Sequence, residues 1–474
     1  MDEDKSGKDN DEAPLISKSD YKDPSWDDYY KKSYKDLLNS PNDLWMVLFI
    51  KTVGFGGFSM ILVSASIYLS EVQDFSDTTV GFLYGIAGIL AAIYTVALSS
   101  IPDRFGIKVS MMISMGSGFI GFMMLIFITQ KYIQLLILGT FVLVPLVLSP
   151  PAAKLAVKKY TSSDARSMGF SVYMMVFYGS IAISAIAVDI ILTIGDEDQE
   201  TFRILFIISA VCMGFAFFLA LLLRELDYSY RGQEIVAVDK NEGSNWEHLR
   251  SILVLKSFWR LVLLCVTLSF IRSVYNHLNI TLPLYMYRDI EDGAHFGYII
   301  ALHEVLMIIF IPILTMLIYV MNNYSLLVFG SFITAAAPLV LLFGASYLTV
   351  CIFVFFVSLG EAIHAPRIID YTMEVATKGR EGVFLAVAAS PLALSFIFTG
   401  ITAGPLLEEY CPEDGERECW KVWLFVSIIA FAATLVLLFC RKWLEQPYFE
   451  SHPYMSCSKE AKEDRKSKET EQIE

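Results

Sequence analysis

The chain has 474 residues, of which 55% are hydrophobic and 18% are charged, and its mean hydropathy is +0.53. This composition excludes a soluble globular protein and indicates a protein that crosses a lipid bilayer several times. The formal net charge of −14 arises mainly in the tails and in the loops of one membrane side. It therefore gives no reason to expect a nucleic-acid partner.

The first 43 residues are polar throughout and are predicted to form a disordered cytosolic tail. Within this tail, the segment Asp11–Ile16 reads DEAPLI and resembles the acidic dileucine signals that sorting adaptors bind on endosomal and lysosomal membrane proteins. A pattern this short also occurs by chance, so a tail without a sorting role is the alternative.

Twelve apolar segments follow, and each is long enough to cross the hydrocarbon core, which takes about 20 helical residues. They are predicted at 44–69, 78–100, 109–129, 133–156, 167–193, 203–224, 257–286, 296–321, 325–346, 348–369, 383–406 and 421–444. The longest internal polar stretch separates the sixth segment from the seventh. The sequence therefore predicts an all-α membrane protein whose parts are an N-terminal six-helix bundle (44–224), a cytosolic linker (225–256), a C-terminal six-helix bundle (257–444) and a cytosolic tail (445–474).

The short loops carry opposite charges on the two sides of the membrane. Lysines and arginines follow the even-numbered spans, as at Arg104 and Lys108, whereas acidic residues follow the odd-numbered spans. Because basic short loops stay in the cytoplasm, both termini are predicted to be cytosolic and the acidic loops external or luminal. Cys411 and Cys419 would then lie in an oxidising compartment, where a disulfide is expected and two free thiols are the alternative.

The loop between the second and third spans contains Asp103, Arg104, Gly106 and Lys108 at the spacing DRxGxK. It resembles the signature of the major facilitator superfamily, although Ser99 replaces the first glycine of that pattern. The resemblance implies the major facilitator fold and a conformational latch formed by these four residues, with the aspartate bracing neighbouring helix ends. A tight charged turn without this role is the alternative.

Two helices also resemble those of the proton-coupled oligopeptide transporters. Tyr178–Ile181 is similar to their fifth-helix signature, with tyrosine in place of asparagine, and Gly360-Glu361 with Pro366 is similar to their tenth helix. In that family the tenth-helix glutamate contributes to substrate or proton handling. The first-helix motif Glu-x-x-Glu-Arg of the family has no counterpart in Lys51–Phe58.

Ionisable residues inside the spans are the candidate site, because a charge at mid-membrane costs at least about 2.5–3.5 kcal/mol. Glu361 and Arg272 are predicted to lie at similar depth. The superfamily resemblance implies that their helices line a central cavity, where they would face each other or bind opposite ends of a zwitterion. A static ion pair is the alternative. The further candidates for the substrate and proton site are His364, Asn276, Asn279, Glu304 and Lys51.

Three polar residues of the spans are interpreted one by one. Lys51 either lines the cavity or extends to the lipid headgroups. His277 is interpreted as a packing residue, since it lies off the helix face that carries Arg272, Asn276 and Asn279. Asp189, near the end of the fifth span, is interpreted as a residue of the membrane interface.

No catalytic constellation, metal-ligand cluster or phosphate-binding glycine loop is evident, so we expect neither an enzyme nor a bound metal or cofactor. The leading hypothesis is a secondary transporter that moves a small polar or charged solute by alternating access. Proton-coupled symport of a peptide or amino-acid-like solute is the first expectation, in an endolysosomal, vacuolar or plasma membrane. The alternatives are a facilitated uniporter or exchanger of an organic anion, and a non-transporting sensor or partner protein of the same fold.

Overall fold

The computed structural model describes residues 26–98, 101–195, 198–225, 228–231, 234–237, 255–291, 293–318, 321–375, 384, 387–388 and 390–445. Within this part of the chain, twelve helices are long and apolar enough to span a membrane, which confirms the predicted fold. The spans contain the α-helices Asn42–Ile67, Asp77–Leu98, Ile101–Phe127, Lys131–Ile137 with Val144–Tyr160, Ser163–Ile194, Gln199–Leu222, Lys256–Asp289, Phe296–Leu317, Asn323–Ala336, Tyr347–Val375, Ser390–Tyr410 and Trp420–Phe439.

Among the described residues, π-helical or 3-10 segments occur in three of the spans. The first span continues as a π-helix at Tyr68–Val72, the fourth contains one at Leu138–Val142, and the ninth ends in a 3-10 helix at Ala337–Phe343. The predicted sorting segment Asp11–Ile16 and the C-terminal tail after residue 445 lie outside the described residues.

Short elements lie outside the spans. A helix at Trp26–Leu38 packs against the fifth span, and a four-residue helix at Arg441–Leu444 follows the last span. In the predicted linker, strands β1 (Tyr228–Arg231) and β2 (Glu234–Ala237) form an antiparallel hairpin that contacts the fourth span.

The spans pack as two bundles of six. In the N-terminal bundle, the first span packs against the fourth, fifth and sixth; in the C-terminal bundle, the seventh packs against the eleventh and twelfth. We name the two ends of the molecule by their loop charges. The acidic face carries the connections after the odd-numbered spans, and the basic face carries those after the even-numbered spans.

The two bundles contact each other along the second and eleventh spans and along the fifth and eighth. A Cβ atom on Gly81 would lie 2.6 Å from the carbonyl oxygen of Gly400, and one on Gly404 would lie 2.3 Å from that of Asp77. Only glycine permits this backbone contact, as at other interfaces of membrane helices. Because these residues lie in the half of each helix next to the acidic face, the bundles are closed together there.

Candidate substrate and proton site

Arg272 and Glu361 form an ion pair near the middle of the seventh and tenth spans. Nη1 of Arg272 lies 3.2 Å from Oε1 of Glu361, and the two side chains are 22% and 3% exposed. A buried charge is tolerated inside a membrane protein when it is paired in this way. The structure thus brings together the two residues that the sequence placed at similar depth.

The second oxygen of Glu361 faces a histidine that the sequence analysis did not select. Nε2 of His303 lies 3.5 Å from Oε2 of Glu361, and Nδ1 of His303 lies 2.8 Å from the hydroxyl oxygen of Ser358. Glu361 therefore lies between the guanidinium of Arg272 and the imidazole of His303. Glu304, the residue after His303, was a candidate because it lies inside the eighth span. The same position inside a span could have identified His303.

Glu304 lies beside this pair without a cation in hydrogen-bond contact among the described residues. The hydroxyl of Tyr275 donates to Oε1 of Glu304 at 3.2 Å, whereas Oε2 has no hydrogen-bond partner in the described part of the chain. The Tyr275 ring also lies 5.3 Å from the guanidinium carbon of Arg272. We call Arg272, Tyr275, His303, Glu304 and Glu361 the central charged cluster.

Close packing of the ninth and tenth spans positions Glu361. A Cβ atom on Gly360 would lie 2.3 Å from Oγ1 of Thr334 and 2.8 Å from the carbonyl oxygen of Gly330. The two backbones therefore touch at the residue before Glu361, and this contact determines the rotation of the tenth helix. The helix continues from Tyr347 to Val375 through Pro366.

The ionisable residues Glu361, His364 and Arg367 of the tenth span have separate partners. Nδ1 of His364 lies 2.8 Å from the carbonyl oxygen of Gly360 in its own helix, next to the ninth span. Arg367 pairs with Asp370 at 2.7 Å. Of these three residues, Glu361 is the one that forms an ion pair with Arg272 of the seventh span.

Both asparagines of the seventh span form hydrogen bonds with other helices, Asn276 through its side chain and Asn279 through its backbone. Nδ2 of Asn276 donates to the Ser395 hydroxyl of the eleventh span at 2.9 Å, and the backbone carbonyl of Asn279 accepts from Ser66 of the first span at 3.3 Å. The side-chain oxygens of both asparagines have no hydrogen-bond partner within the described residues. His277 is buried and lies 2.7 Å from Oγ1 of Thr281, as expected of a packing residue.

Two lysines of the N-terminal bundle occupy different environments. Lys51 is fully buried, with Nζ 2.7 Å from the Ser149 hydroxyl and 3.7 Å from the centre of the Phe55 ring, so it does not extend to the headgroups. Lys154 is exposed and its Nζ lies 5.9 Å from the centre of the Tyr173 ring. Sequence reasoning missed Lys154, although a lysine inside the fourth span was a signal of the same kind as Glu361.

A buried ion pair joins the two bundles at the acidic face. Nη1 and Nη2 of Arg288, at the end of the seventh span, lie 2.6 and 3.0 Å from the carboxylate oxygens of Asp77, at the start of the second. The side chains are 5% and 8% exposed. Asp77 lies in the predicted loop between the first two spans, and no local sequence pattern indicates that it meets Arg288.

A second contact across the bundles involves Asp189. Its carboxylate accepts a hydrogen bond from the backbone N–H of Gly297 at 2.9 Å and lies 2.9 Å from Nδ1 of His295. Asp189 is 3% exposed, so it lies between helices and not at the membrane interface as interpreted. We call Asp77, Arg288, Asp189 and His295 the acidic-face gate.

The loop that resembles the superfamily signature is held by a residue at the end of the sixth span. Gly106 has φ +84°, and the carboxylate of Glu225 accepts from the backbone N–H groups of Ile107 at 3.0 Å and Lys108 at 2.8 Å. This satisfies N–H groups at a helix start. Arg104 is exposed, and the side chain of Asp103 lies outside the described residues.

Cys411 and Cys419 are joined by a disulfide in the loop after the eleventh span, with their Cα atoms 4.5 Å apart. Among the described residues, no group of three or more His, Cys, Asp or Glu side chains is arranged to hold a metal ion.

Several solved structures have a fold similar to that of this chain. A POT family transporter in complex with a thioalcohol-conjugated peptide has a TM-score of 0.68 at 14% identity, covering 85% of this chain and 96% of that one. The nucleoside transporter NupG has a TM-score of 0.65 at 13% identity, covering 84% and 99%. An auto-inhibited POT family peptide transporter has a TM-score of 0.68 at 13% identity, covering 87% and 99%. These similarities show the fold.

No curated protein sequence matches the chain. The family profile of the Major Facilitator Superfamily, in contrast, matches residues 5–150, 47–390 and 273–470. The second match alone covers more than half of the sequence. Together with the twelve spans and their two bundles, it shows that this chain belongs to the Major Facilitator Superfamily of transporters.

Proposed function

We propose that the protein is a secondary transporter that moves a small charged or polar solute by alternating access, coupled to protons. The observation that carries this proposal is the central charged cluster, in which Glu361 lies between Arg272 and His303. Charged side chains inside a membrane protein are costly and typically line a substrate or proton path.

Contacts at one end of the molecule support alternating access. The acidic-face gate closes the bundles there, whereas Lys154, in the half of the fourth span next to the basic face, is exposed. An exposed cation in this half of a membrane span fits a cavity that opens toward the basic face. We infer an inward-open state, with the acidic face external or luminal and both termini cytosolic.

Proton coupling is supported by Glu304 and His303. Burying an ionised carboxylate without a cation partner is expensive, so the site of Glu304, beside the Tyr275 hydroxyl, suits a carboxyl group that carries a proton. His303 bonds Ser358 through one nitrogen and faces Glu361 with the other. Loss or gain of one proton at Glu304 would change the net charge around Arg272.

The charged side chains of the spans favour a zwitterionic solute such as an amino acid or a peptide. Lys154 from the N-terminal bundle offers a cation, and Glu361 from the C-terminal bundle offers a carboxylate. Opposite ends of one solute would then contact opposite bundles. Binding would replace part of the Arg272–Glu361 pair and couple the solute to the rocking of the bundles.

The test is uptake of amino acids and dipeptides into proteoliposomes with an imposed pH gradient. We expect uptake by the wild-type protein to rise with the gradient, and Glu361→Gln to abolish that response while the protein remains folded. Asp370→Asn is the matched control, since this carboxylate of the same helix is 44% exposed and pairs with Arg367. Unchanged proton coupling in Glu361→Gln would refute the assignment.

An organic-anion uniporter or exchanger is the second candidate, favoured by the exposed cation Lys154 and the partly exposed cation Arg272. It predicts flux that is independent of the pH gradient. A sensor or partner protein of the same fold would instead bind solute without flux. A thermal-shift screen over dipeptides, amino acids and carboxylates, read together with the flux assay, separates the three.

The location of the protein is a separate proposal. We infer an endolysosomal, vacuolar or plasma membrane, with Asp11–Ile16 as a signal for a sorting adaptor. Replacing Leu15 and Ile16 by alanine should move the protein to the cell surface if the signal operates. An unchanged distribution would leave the segment without a sorting role.

A further inference from the structure

The disulfide loop, residues 411–419, lies directly beside the ion pair that joins the two bundles at the acidic face. The carbonyl oxygen of Cys411 accepts a hydrogen bond from Nη1 of Arg288 at 3.0 Å. The same nitrogen lies 2.6 Å from the Asp77 carboxylate. Arg288 therefore contacts the disulfide-bonded cysteine on one side and the opposite bundle on the other.

Arg417, inside the loop, makes a second connection to the seventh span. Its guanidinium donates through Nη1 to the backbone carbonyl of Arg288 and through Nη2 to that of Glu413, and its Nε donates to the carbonyl of Pro412 at 3.0 Å. Through these bonds the loop holds the backbone of Arg288, while Cys411 holds its side chain.

The position of Arg288 matters because its ion pair is buried. Charges in such a pair are stable only when the geometry is well maintained and the remaining hydrogen-bond donors are satisfied. Cys411 and Cys419 are 0% and 2% exposed, and their bond restricts the nine-residue loop that supplies two of the contacts of Arg288. Without the bond, the Cys411 carbonyl would be free to move away from the guanidinium.

We propose that the disulfide loop is a brace for the acidic-face gate and that Arg417 is its positioning residue. With the disulfide intact, the loop holds Arg288 against Asp77 and favours the state that is closed at the acidic face. Reduction by an external dithiol, which is oxidised to its own disulfide and leaves two free thiols at Cys411 and Cys419, releases Arg288 and favours opening. The role in transport rests on the proposed alternating access, but the coupling of disulfide and ion pair is measurable without any solute.

Hydrogen–deuterium exchange of the full-length protein in lipid nanodiscs tests the brace. After reduction of the disulfide, we expect amides of the gate segments 77–85 and 400–407 to exchange about tenfold faster, which corresponds to an opening free energy lower by about 1.4 kcal/mol. The double variant Cys411→Ser with Cys419→Ser gives the same state if the reductant does not reach the buried bond. Amides of the tenth span near Glu361 should not change.

A double-mutant cycle shows whether the disulfide acts through the ion pair. In Asp77→Asn the gate is already released, so reduction should add no further exchange there. Arg417→Gln, with the disulfide intact, should reproduce much of the effect of reduction, and Arg417→Lys should restore part of the protection. Arg203→Gln is the matched control, because this exposed cation of the sixth span pairs with Glu200, outside the disulfide loop and the gate.

Three results would overturn the proposal. Exchange at the gate that does not respond to reduction would show that the loop is not a brace. Effects of reduction and Asp77→Asn that add independently would show that the disulfide acts elsewhere. Faster exchange throughout the C-terminal bundle would indicate a general loss of structure. None of these results depends on whether proton-coupled transport is confirmed.

Discussion

Nη1 of Arg272 lies 3.2 Å from Oε1 of Glu361, in a side-chain pair where the carboxylate is 3% exposed and the guanidinium 22%. The partial exposure of Arg272 leaves one side of the pair accessible, while Glu361 is enclosed by its own bundle. A solute that reaches the pair would therefore meet the guanidinium first.

The first prediction concerns the stability of this pair. Glu361→Leu leaves Arg272 without its carboxylate partner, and we expect a loss of about 3–5 kcal/mol in unfolding free energy. Arg272→Met combined with Glu361→Leu should lose clearly less than the single variant, since no unpaired charge is left. Denaturant unfolding in detergent measures both. A double variant as unstable as the single variant would contradict the argument.

The two lysines of the N-terminal bundle should respond differently to substitution. Lys154→Gln removes an exposed cation of the cavity, so we expect affinity for an anionic or zwitterionic solute to fall about tenfold, equivalent to about 1.4 kcal/mol. Lys51→Met keeps the volume of a buried side chain and should change stability by less than about 1.5 kcal/mol. Calorimetric titration and thermal unfolding provide the two readings. Equal effects of both variants on affinity would refute the distinction.

Packing at Gly360 should be sensitive to a single methyl group. Gly360→Ala places a Cβ atom 2.3 Å from Oγ1 of Thr334 and 2.8 Å from the carbonyl of Gly330. We expect separation of the ninth and tenth spans and a destabilisation of about 1–3 kcal/mol. Gly179→Ala is the control, because the neighbour of its added Cβ atom, Cδ1 of Ile308, would lie 3.9 Å away. Thermal unfolding that is the same for both variants would argue against the packing role.

Glu304 should affect coupling more than solute binding. In Glu304→Gln the amide keeps the contact with the Tyr275 hydroxyl but cannot exchange a proton. We expect solute affinity to stay within about threefold of wild type, roughly 0.6 kcal/mol, while proton movement per solute falls. Simultaneous recording of solute uptake and internal pH in proteoliposomes checks this. An unchanged ratio of protons to solute would exclude Glu304 as a proton carrier.

Part of the candidate site followed from sequence because its signal is local. Glu361 and Arg272 are conspicuous in apolar segments, and counting residues along each helix matched their depth. The same count could not identify His303 as the second partner of Glu361, since that contact depends on the rotation of the eighth helix. Likewise, depth alone does not separate His364, which bonds its own helix, from Glu361, three residues earlier.

The sequence by itself determined the twelve spans and the division into two halves, because the length of an apolar segment is a property of the chain alone. Only the tertiary structure decided that Asp77 meets Arg288 and that Asp189 meets His295, since these residues lie on different bundles and are more than one hundred positions apart. Backbone contacts at glycines such as Gly81 and Gly360 bring the helices together at particular rotations. Those rotations determine which polar side chains become partners.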